Sequence, residues 1–246
     1  MWSIIIASDL HFNNDSKRNF KKDDIERILT VKDKYNIKLV ISAGDLTDNG
    51  TDGSMVLFKK TQDQLTPLKN EWVKPLENNN IQVFLTLGNH DCQKYLYNKP
   101  IAKYIRNKYD ASYSYYNKYR SGYYVREFND IIFLSCGIYP KRINWIKNQL
   151  EKYQNKQIII FYHYNTIEDE TGSDWWKQSE KEDFYNIIKN YKNIIAIING
   201  HIHQTYDKEW RGFKMLNGGG QRLLLMTMEN NKLINIKKLP LDIEKL

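Results

Sequence analysis

The chain is poor in cysteine, with Cys92 and Cys136 the only two in 246 residues. That is too few for a disulfide framework at this length, so the fold has to be held by a buried core. Long apolar runs are missing as well: none approaches the roughly 18 residues that a membrane span needs. The first apolar run, Trp2 to Ala7, has no basic segment before it and leads straight into Asp9. It reads as a core strand rather than an export signal, which makes the cytoplasm the expected location, although a processed secreted form would read the same way. Arginine is scarce, at eight residues against 29 lysines in a chain of net charge +8. The lysines are scattered. A general attraction for negatively charged substrates follows, and a nucleic-acid partner is compatible with the charge but not favoured, because no arginine cluster marks a groove.

What is present is an ordinary soluble composition, 41% hydrophobic and 27% charged. The length suits one large domain spanning 1–246 better than two small ones. Buried strands are expected over Trp2–Ser8, Ile37–Ala43 and Ile81–Leu87. Helical spacing separates them, over Asp23–Tyr35 and over Ser54–Leu76, the second interrupted by Pro67 and expected to kink or split there. Strand alternating with helix argues for a largely parallel, helix-covered sheet. Tyr123–Phe128 and Ile131–Ser135, joined by Asn129-Asp130, form an expected hairpin that starts a second sheet. A helix over Ile143–Leu150, a strand over Gln157–His163, a helix over Glu180–Tyr191 and a strand over Ile194–Asn199 follow. Four short strands, Thr205–Trp210, Lys214–Leu216, Arg222–Met228 and Leu233–Lys238, make an antiparallel finish.

Histidine is nearly as scarce as cysteine, and all five residues fall at the ends of apolar runs. Asp9 and His11 follow Ile4-Ile5-Ile6, Asp45 follows Leu39-Val40-Ile41, and Asn89 with His90 follows Val83-Phe84-Leu85. His163 follows Ile158-Ile159-Ile160, and His201 with His203 closes the run Asn193 to Asn199. Strand ends of an open α/β sheet are where loops converge to build sites. Aspartate, histidine and an asparagine carbonyl make a donor set without thiolate, suited to Mn, Fe or Zn ions, with Mg also compatible. Cys92 is not needed, since the oxygen and nitrogen set is complete without it. Two aspartates, one asparagine and up to four histidines exceed the needs of one ion, so a pair of divalent ions is the economical reading. A pair of cations lowers the pKa of a shared water and clamps phosphoryl oxygens for in-line displacement. Taken singly, each residue has a plainer reading: Asp9 as a cap or turn residue, Asp45 and Asn89 as turn residues after glycine, and His163 as a satisfied core histidine. The joint arrangement overturns these.

The blocks Asp9-Leu10-His11, Gly44-Asp45, Gly88-Asn89-His90-Asp91, His163 and Gly200-His201-Ile202-His203 resemble, in order, the five signature blocks of the calcineurin-like metallophosphoesterase superfamily. The resemblance implies a four-layer α/β/β/α sandwich of two mixed sheets flanked by helices. It implies that Asp9, His11 and His203 hold one ion, that Asn89, His163 and His201 hold the other, and that Asp45 bridges them. His90 would protonate the leaving oxygen or steady the phosphoryl charge, with Asp91 orienting it. The implied activity is hydrolysis of a phosphomonoester or phosphodiester, of a small molecule, by in-line attack of a metal-bridging hydroxide. A cyclic-nucleotide phosphodiesterase or a nuclease on the same site stands as an alternative, and a non-catalytic binding scaffold is the alternative from another class.

Two stretches lie outside these blocks. The excursion 92–124 carries ten tyrosines, eight of them between Tyr95 and Tyr119. A helix over Pro100–Tyr109 covering the sheet edge is favoured there over a substrate-contacting role. The insertion 164–177 contains Glu168, Asp169, Glu170, Gly172, Asp174, Trp175 and Trp176. Its acids would repel a second phosphate and are not assigned as ligands. Its paired tryptophans either wall the pocket or dock the loop, two readings of equal weight. Asn217-Gly218-Gly219-Gly220 permits close backbone approach, either to substrate or simply to turn the chain.

Overall fold

The computed structural model describes residues 1–13, 20–56, 59–92, 99–167, 176–220 and 222–240. Strand β1 (Trp2–Ala7) pairs in parallel with β2 (Ile37–Ser42), and β2 in parallel with β5 (Gln82–Leu85). On the other side of β1 lie β12 (Leu224–Glu229) and β13 (Lys232–Lys238), each antiparallel to its neighbour. The second sheet has the order β10 (Thr205–Trp210), β11 (Phe213–Gly218), β9 (Ile194–Asn199), β8 (Gln157–Phe161), β7 (Ile131–Cys136) and β6 (Tyr123–Phe128). Strands β7, β8, β9 and β11 run parallel, and the two edge strands are antiparallel.

The inner strands are buried on both faces, which is why they read as unbroken β-branched runs rather than alternating ones. Ile4, Ile5 and Ile6 have no exposed surface. Between the sheets, Phe84 meets Phe133 edge-to-face at 5.2 Å, and the Ser135 hydroxyl donates to Thr86 Oγ1 at 2.9 Å. Outside the first sheet, Trp72 is fully buried and donates its Nε1–H to Ser42 Oγ at 3.0 Å. Outside the second, Phe184 of the helix Gln178–Ile188 meets Tyr162 at 5.8 Å. The result is two mixed sheets flanked by helices, the arrangement that the resemblance implies and with which the strand and helix pattern agrees.

Several expectations change in detail. The antiparallel finish is divided between the sheets: β10 and β11 end the second, with β11 parallel to β9, while β12 and β13 return to the first. The stretch expected as helix from Ser54 begins instead with a short ribbon of β3 (Met55–Val56) and β4 (Lys59–Lys60). The helix starts at Leu65, so Pro67 sits in its first turn, where its missing N–H would have no partner anyway. The helix changes character at the next residue, in the π-helical segment Leu68–Val73 that runs into Lys74–Asn78 with Pro75 in its first turn. The first helix is Phe20–Val31, ended before the left-handed Asn36.

The hairpin at Asn129-Asp130 forms as expected, both residues left-handed (φ 48° and 59°), the geometry of a two-residue turn that matches strand twist. The helix Pro100–Tyr109 also forms as expected and covers the edge: Tyr109 stacks on Tyr124 at 4.5 Å and donates to Val83 O at 2.6 Å. No helix among the described residues is long and apolar enough to cross a membrane.

Candidate metal centre

The loops leaving β1, β2 and β5 of one sheet and β8 and β9 of the other meet at the strands' C-terminal ends. Tight backbone contact brings them there. A Cβ on Gly218 of β11 would stand 2.4 Å from Ile6 O of β1, so only glycine lets the two sheets close at this point. Gly88 serves the same purpose between loops, since a Cβ there would lie 2.1 Å from both the backbone nitrogen and Oδ1 of Asp45.

Asp45 is central and almost fully buried. Its Oδ2 lies 3.1 Å from His163 Nε2, 3.9 Å from His11 Nε2 and 4.0 Å from His90 Nε2. Its Oδ1 accepts from the His90 backbone N–H at 2.9 Å. On one side, Asp9, His11 and His203 gather: His203 Nε2 is 3.6 Å from Asp9 Oδ1 and 3.2 Å from His11 Nε2. On the other, His163 and His201 face Asp45, with Asn89 Oδ1 3.1 Å from His163 Nε2. One donor atom from each of Asp9, His11 and His203, and from each of Asp45, His163 and His201, lies within 4.8 Å of the others in its group. All seven residues singled out as metal donors are thus brought into one cluster.

Five of the seven, Asp9, His11, Asp45, His201 and His203, have left-handed backbones with φ between 46° and 77°. For residues with a Cβ that conformation costs roughly 1–2 kcal/mol each. Its concentration at one place marks a site whose geometry outranks local comfort.

The chemistry of the donors fits cations. His163 Nδ1 is 2.9 Å from Ala43 O, so it carries a proton and donates to that carbonyl. Its Nε2 then faces two oxygens, Asp45 Oδ2 and Asn89 Oδ1. Only a positive species, a second proton or a metal ion, reconciles that arrangement. Electrostatics agree. Burial works against charge on His163, yet the Asp45 carboxylate outweighs it and lifts the imidazole to about 9. Burial likewise opposes charge on Asp45, but the His163 charge and hydrogen bond hold it well below the ordinary carboxylate range. Burial, together with the charge on His163, pushes His201 down to about 3. Asp9 is raised, chiefly by burial.

His90 lies beside the same cluster, a donor atom of its ring within 4.8 Å of donor atoms of His11 and Asp45, with 38% of its side chain exposed and its Nδ1 2.6 Å from Asp48 O. Asp91 does not contact the His90 ring. Fully buried, it accepts from the backbone N–H groups of Leu46 at 3.1 Å, Thr47 at 2.9 Å and Gly88 at 2.8 Å, and from Thr47 Oγ1 at 2.9 Å. It therefore fastens the Asp45 loop to the Asn89 loop rather than orienting His90 directly. Burial and the Asp45 charge raise Asp91 to about 6 against those four donors.

Sequence reading missed Asp48, whose Oδ1 lies 2.8 Å from His11 Nδ1. It missed Ser8 too, which donates to Asp9 Oδ2. Asn217 Nδ2 donates to Gly200 O at 2.9 Å, and its Oδ1 accepts from Gly219 N at 2.8 Å. The glycines beside it bring backbone up to the site, since a Cβ on Gly219 would meet Asp9 Oδ2 at 2.2 Å. A carboxylate three residues past Asp45 is a signal that could have pointed to Asp48. Trp176 docks its loop: it is 2% exposed, donates to Asn165 O at 3.0 Å and packs on Tyr139 at 5.3 Å. Trp175 and the insertion's acids Glu168, Asp169, Glu170 and Asp174 lie outside the described residues.

The calcineurin-like phosphoesterase family model matches residues 3–205. The chain belongs to this family. It is a phosphoric ester hydrolase whose histidine and aspartate groups could hold metal ions. A probable glycerophosphodiester phosphodiesterase of Arcobacter nitrofigilis is 24% identical over 84% of this phosphoesterase and 74% of its own length. A probable cyclic nucleotide phosphodiesterase of Vesicomyosocius okutanii is 24% identical over 88% and 84%. Among solved structures, a dimetal phosphatase from Danio rerio superposes with a TM-score of 0.65 at 11% identity, covering 96% of this chain and 95% of that one. That last likeness is one of fold.

Proposed function

We propose that this phosphoesterase hydrolyses a phosphodiester of a small molecule with two divalent ions. The observation that carries the reading is the pair of donor groups on either side of one buried carboxylate: Asp9, His11 and His203 on one flank, His163, His201 and Asn89 on the other, with Asp45 between. Asp9, His11 and His203 would hold one ion, Asn89, His163 and His201 the second, and Asp45 both. Such ions, when bound, supply Lewis acidity that activates water and neutralises charge on the phosphoryl oxygens. The names of the related phosphodiesterases favour the diester over the monoester.

The chain's own residues do the rest. Asp91 locks the two loops that carry Asp45 and Asn89, so the donors keep their places. The carbonyl of Asp48 accepts the Nδ1–H of His90, which leaves Nε2 on the Asp45 side and reachable from solvent. From there, a His90 that carries a second proton on Nε2 as imidazolium can give that proton to the departing alkoxide and return to the neutral Nδ1–H form. Scattered lysines supply a mild general attraction for the anionic substrate.

The test is hydrolysis of bis(p-nitrophenyl) phosphate against p-nitrophenyl phosphate with manganese added. The diester should be cleaved faster. Asp45→Asn should lose bound metal and rate together, whereas His90→Ala should keep its metal and lose about 10²- to 10⁴-fold in rate. Full activity in His90→Ala would remove that residue from the mechanism, and equal turnover by metal-stripped protein would end the reading.

A further inference from the structure

Away from the metal centre, a cleft of about 520 Å³ opens along the free edge of β6, between the end of the helix Pro100–Tyr109 and the helix Ile143–Lys152. None of the donor residues described above lines it. Two of the chain's eight arginines do, Arg126 and Arg142. Both are half-buried and laid over aromatic rings: Arg126 over Tyr109 and Tyr124, each at 5.8 Å, and Arg142 over Tyr123 at 5.3 Å and Trp145 at 5.8 Å. At these distances the guanidiniums are within cation–π reach of the rings, a contact that restrains them without using their N–H groups. Arg126 spends one on Val125 O at 2.9 Å. No carboxylate among the described residues pairs with either guanidinium. Asp110 is the acid on the lining, and it is exposed at the rim.

The strand itself adds a donor. Tyr123 exchanges backbone and side-chain bonds with Ser112 on the side away from β7: Ser112 N donates to Tyr123 O at 2.9 Å, and Tyr123 N to Ser112 Oγ at 3.1 Å. Backbone direction alternates along an antiparallel ladder, so the N–H of Val125, two residues on, also points away from β7 and toward the cleft. Arg126 reaches the cavity from the Tyr124 face of β6 and Arg142 from the Tyr123 face, with the strand-edge N–H between them and no carboxylate paired to either, and these are the donors that a tetrahedral oxyanion requires.

We propose that this cleft is a second anion site, independent of the metals, that binds the phosphate group of a small molecule through Arg126, Arg142 and the backbone N–H of Val125. Its dimensions admit more than the anion, and Trp145 offers a wall for an attached ring.

Isothermal titration of the metal-loaded protein with inorganic phosphate, adenosine monophosphate and adenosine tests this. The same titrations on Asp45→Asn remove the contribution of the metal centre. The expected result is a binding event for phosphate and for the nucleotide that survives in Asp45→Asn, is absent for adenosine, and weakens at least about tenfold in Arg126→Gln/Arg142→Gln. Hydrolytic activity of that double variant should stay at the wild-type level. Arg126→Lys/Arg142→Lys, which keeps the charge but not the fork, should bind at an intermediate level, and far-ultraviolet circular dichroism verifies that each variant is folded. Equal phosphate affinity in the folded Arg126→Gln/Arg142→Gln variant, or no phosphate binding to Asp45→Asn at millimolar concentration, would overturn the proposal.

Discussion

Replacing Asp48 with alanine separates two jobs that one residue performs. Its carboxylate lies 2.8 Å from His11 Nδ1, whereas its backbone carbonyl, 2.6 Å away, accepts from His90 Nδ1. The substitution removes the first contact and leaves the second. Histidines that hold metals depend on a partner at the other ring nitrogen for tautomer, orientation and basicity, and losing that partner costs about 10- to 100-fold in metal affinity or activity. That is about 1.4–2.7 kcal/mol. The carboxylate is 21% exposed, so part of its field is already screened by water and the lower half of the range is expected. Manganese titration of activity should therefore show the half-saturating concentration raised about tenfold in Asp48→Ala, with rate at saturating manganese within a few-fold of wild type. Asp48→Asn, which keeps an acceptor oxygen but not the charge, should fall between. Unchanged metal dependence in Asp48→Ala would refute the role given to the carboxylate. A rate that stays low at saturating metal would instead show that His90 depends on the side chain, contrary to the hydrogen bonding described.

Other consequences follow from the same geometry. In Gly88→Ala the new Cβ would stand 2.1 Å from Asp45 N where ordinary contact begins at 3.4 Å, so roughly 1.3 Å must be made up by moving backbone at the site. A displacement of that size should cost about 100-fold in kcat with Tm only modestly lowered, as steady-state kinetics and thermal melting would show. His163 gives a pH dependence. In metal-free protein its imidazole is raised to about 9 from 6.5, and the metal must displace that proton, so apparent metal affinity should climb about tenfold per pH unit and level off near pH 9. By the same raised pKa, chelator-treated protein should hold this contribution to stability fully below pH 6.5 and lose it as pH rises through 9, a fall in Tm that metal-loaded protein does not share.

The apolar runs were legible because inner strands of a covered sheet must be hydrophobic on both faces, and β9 and β6 begin and end where the pattern places them. The turn Asn129-Asp130 was legible for the same local reason, its residues being tolerant of the left-handed turn it makes. Harder to read was the stretch from Ser54, where helical spacing in Met55 and Val56 was outvoted by pairing with Lys59–Lys60, a contact that no local propensity announces. What Pro67 does was only partly legible because a proline's effect depends on where the helix begins, and Leu65 is fixed as the start by the Thr51 carbonyl that receives its N–H at 3.2 Å. The role of Trp176 was undecidable in one dimension: the same indole serves wall or anchor, and only the rings of Tyr139, Tyr162 and Phe184 around it make it an anchor.

Sequence alone determined which residue types stand at the strand ends, and hence the donor chemistry, since aspartate, histidine and asparagine past apolar runs remain what they are in any fold. Tertiary structure alone decided their company. That Asp91 fastens two loops instead of touching His90, that Asp48 faces His11, and that Arg126 and Arg142 line one cleft at a sheet edge are facts about distances between residues far apart in the chain. Such distances are set by how the strands stack and cross, and the energy that sets them is spread over the whole buried core rather than written at any one position.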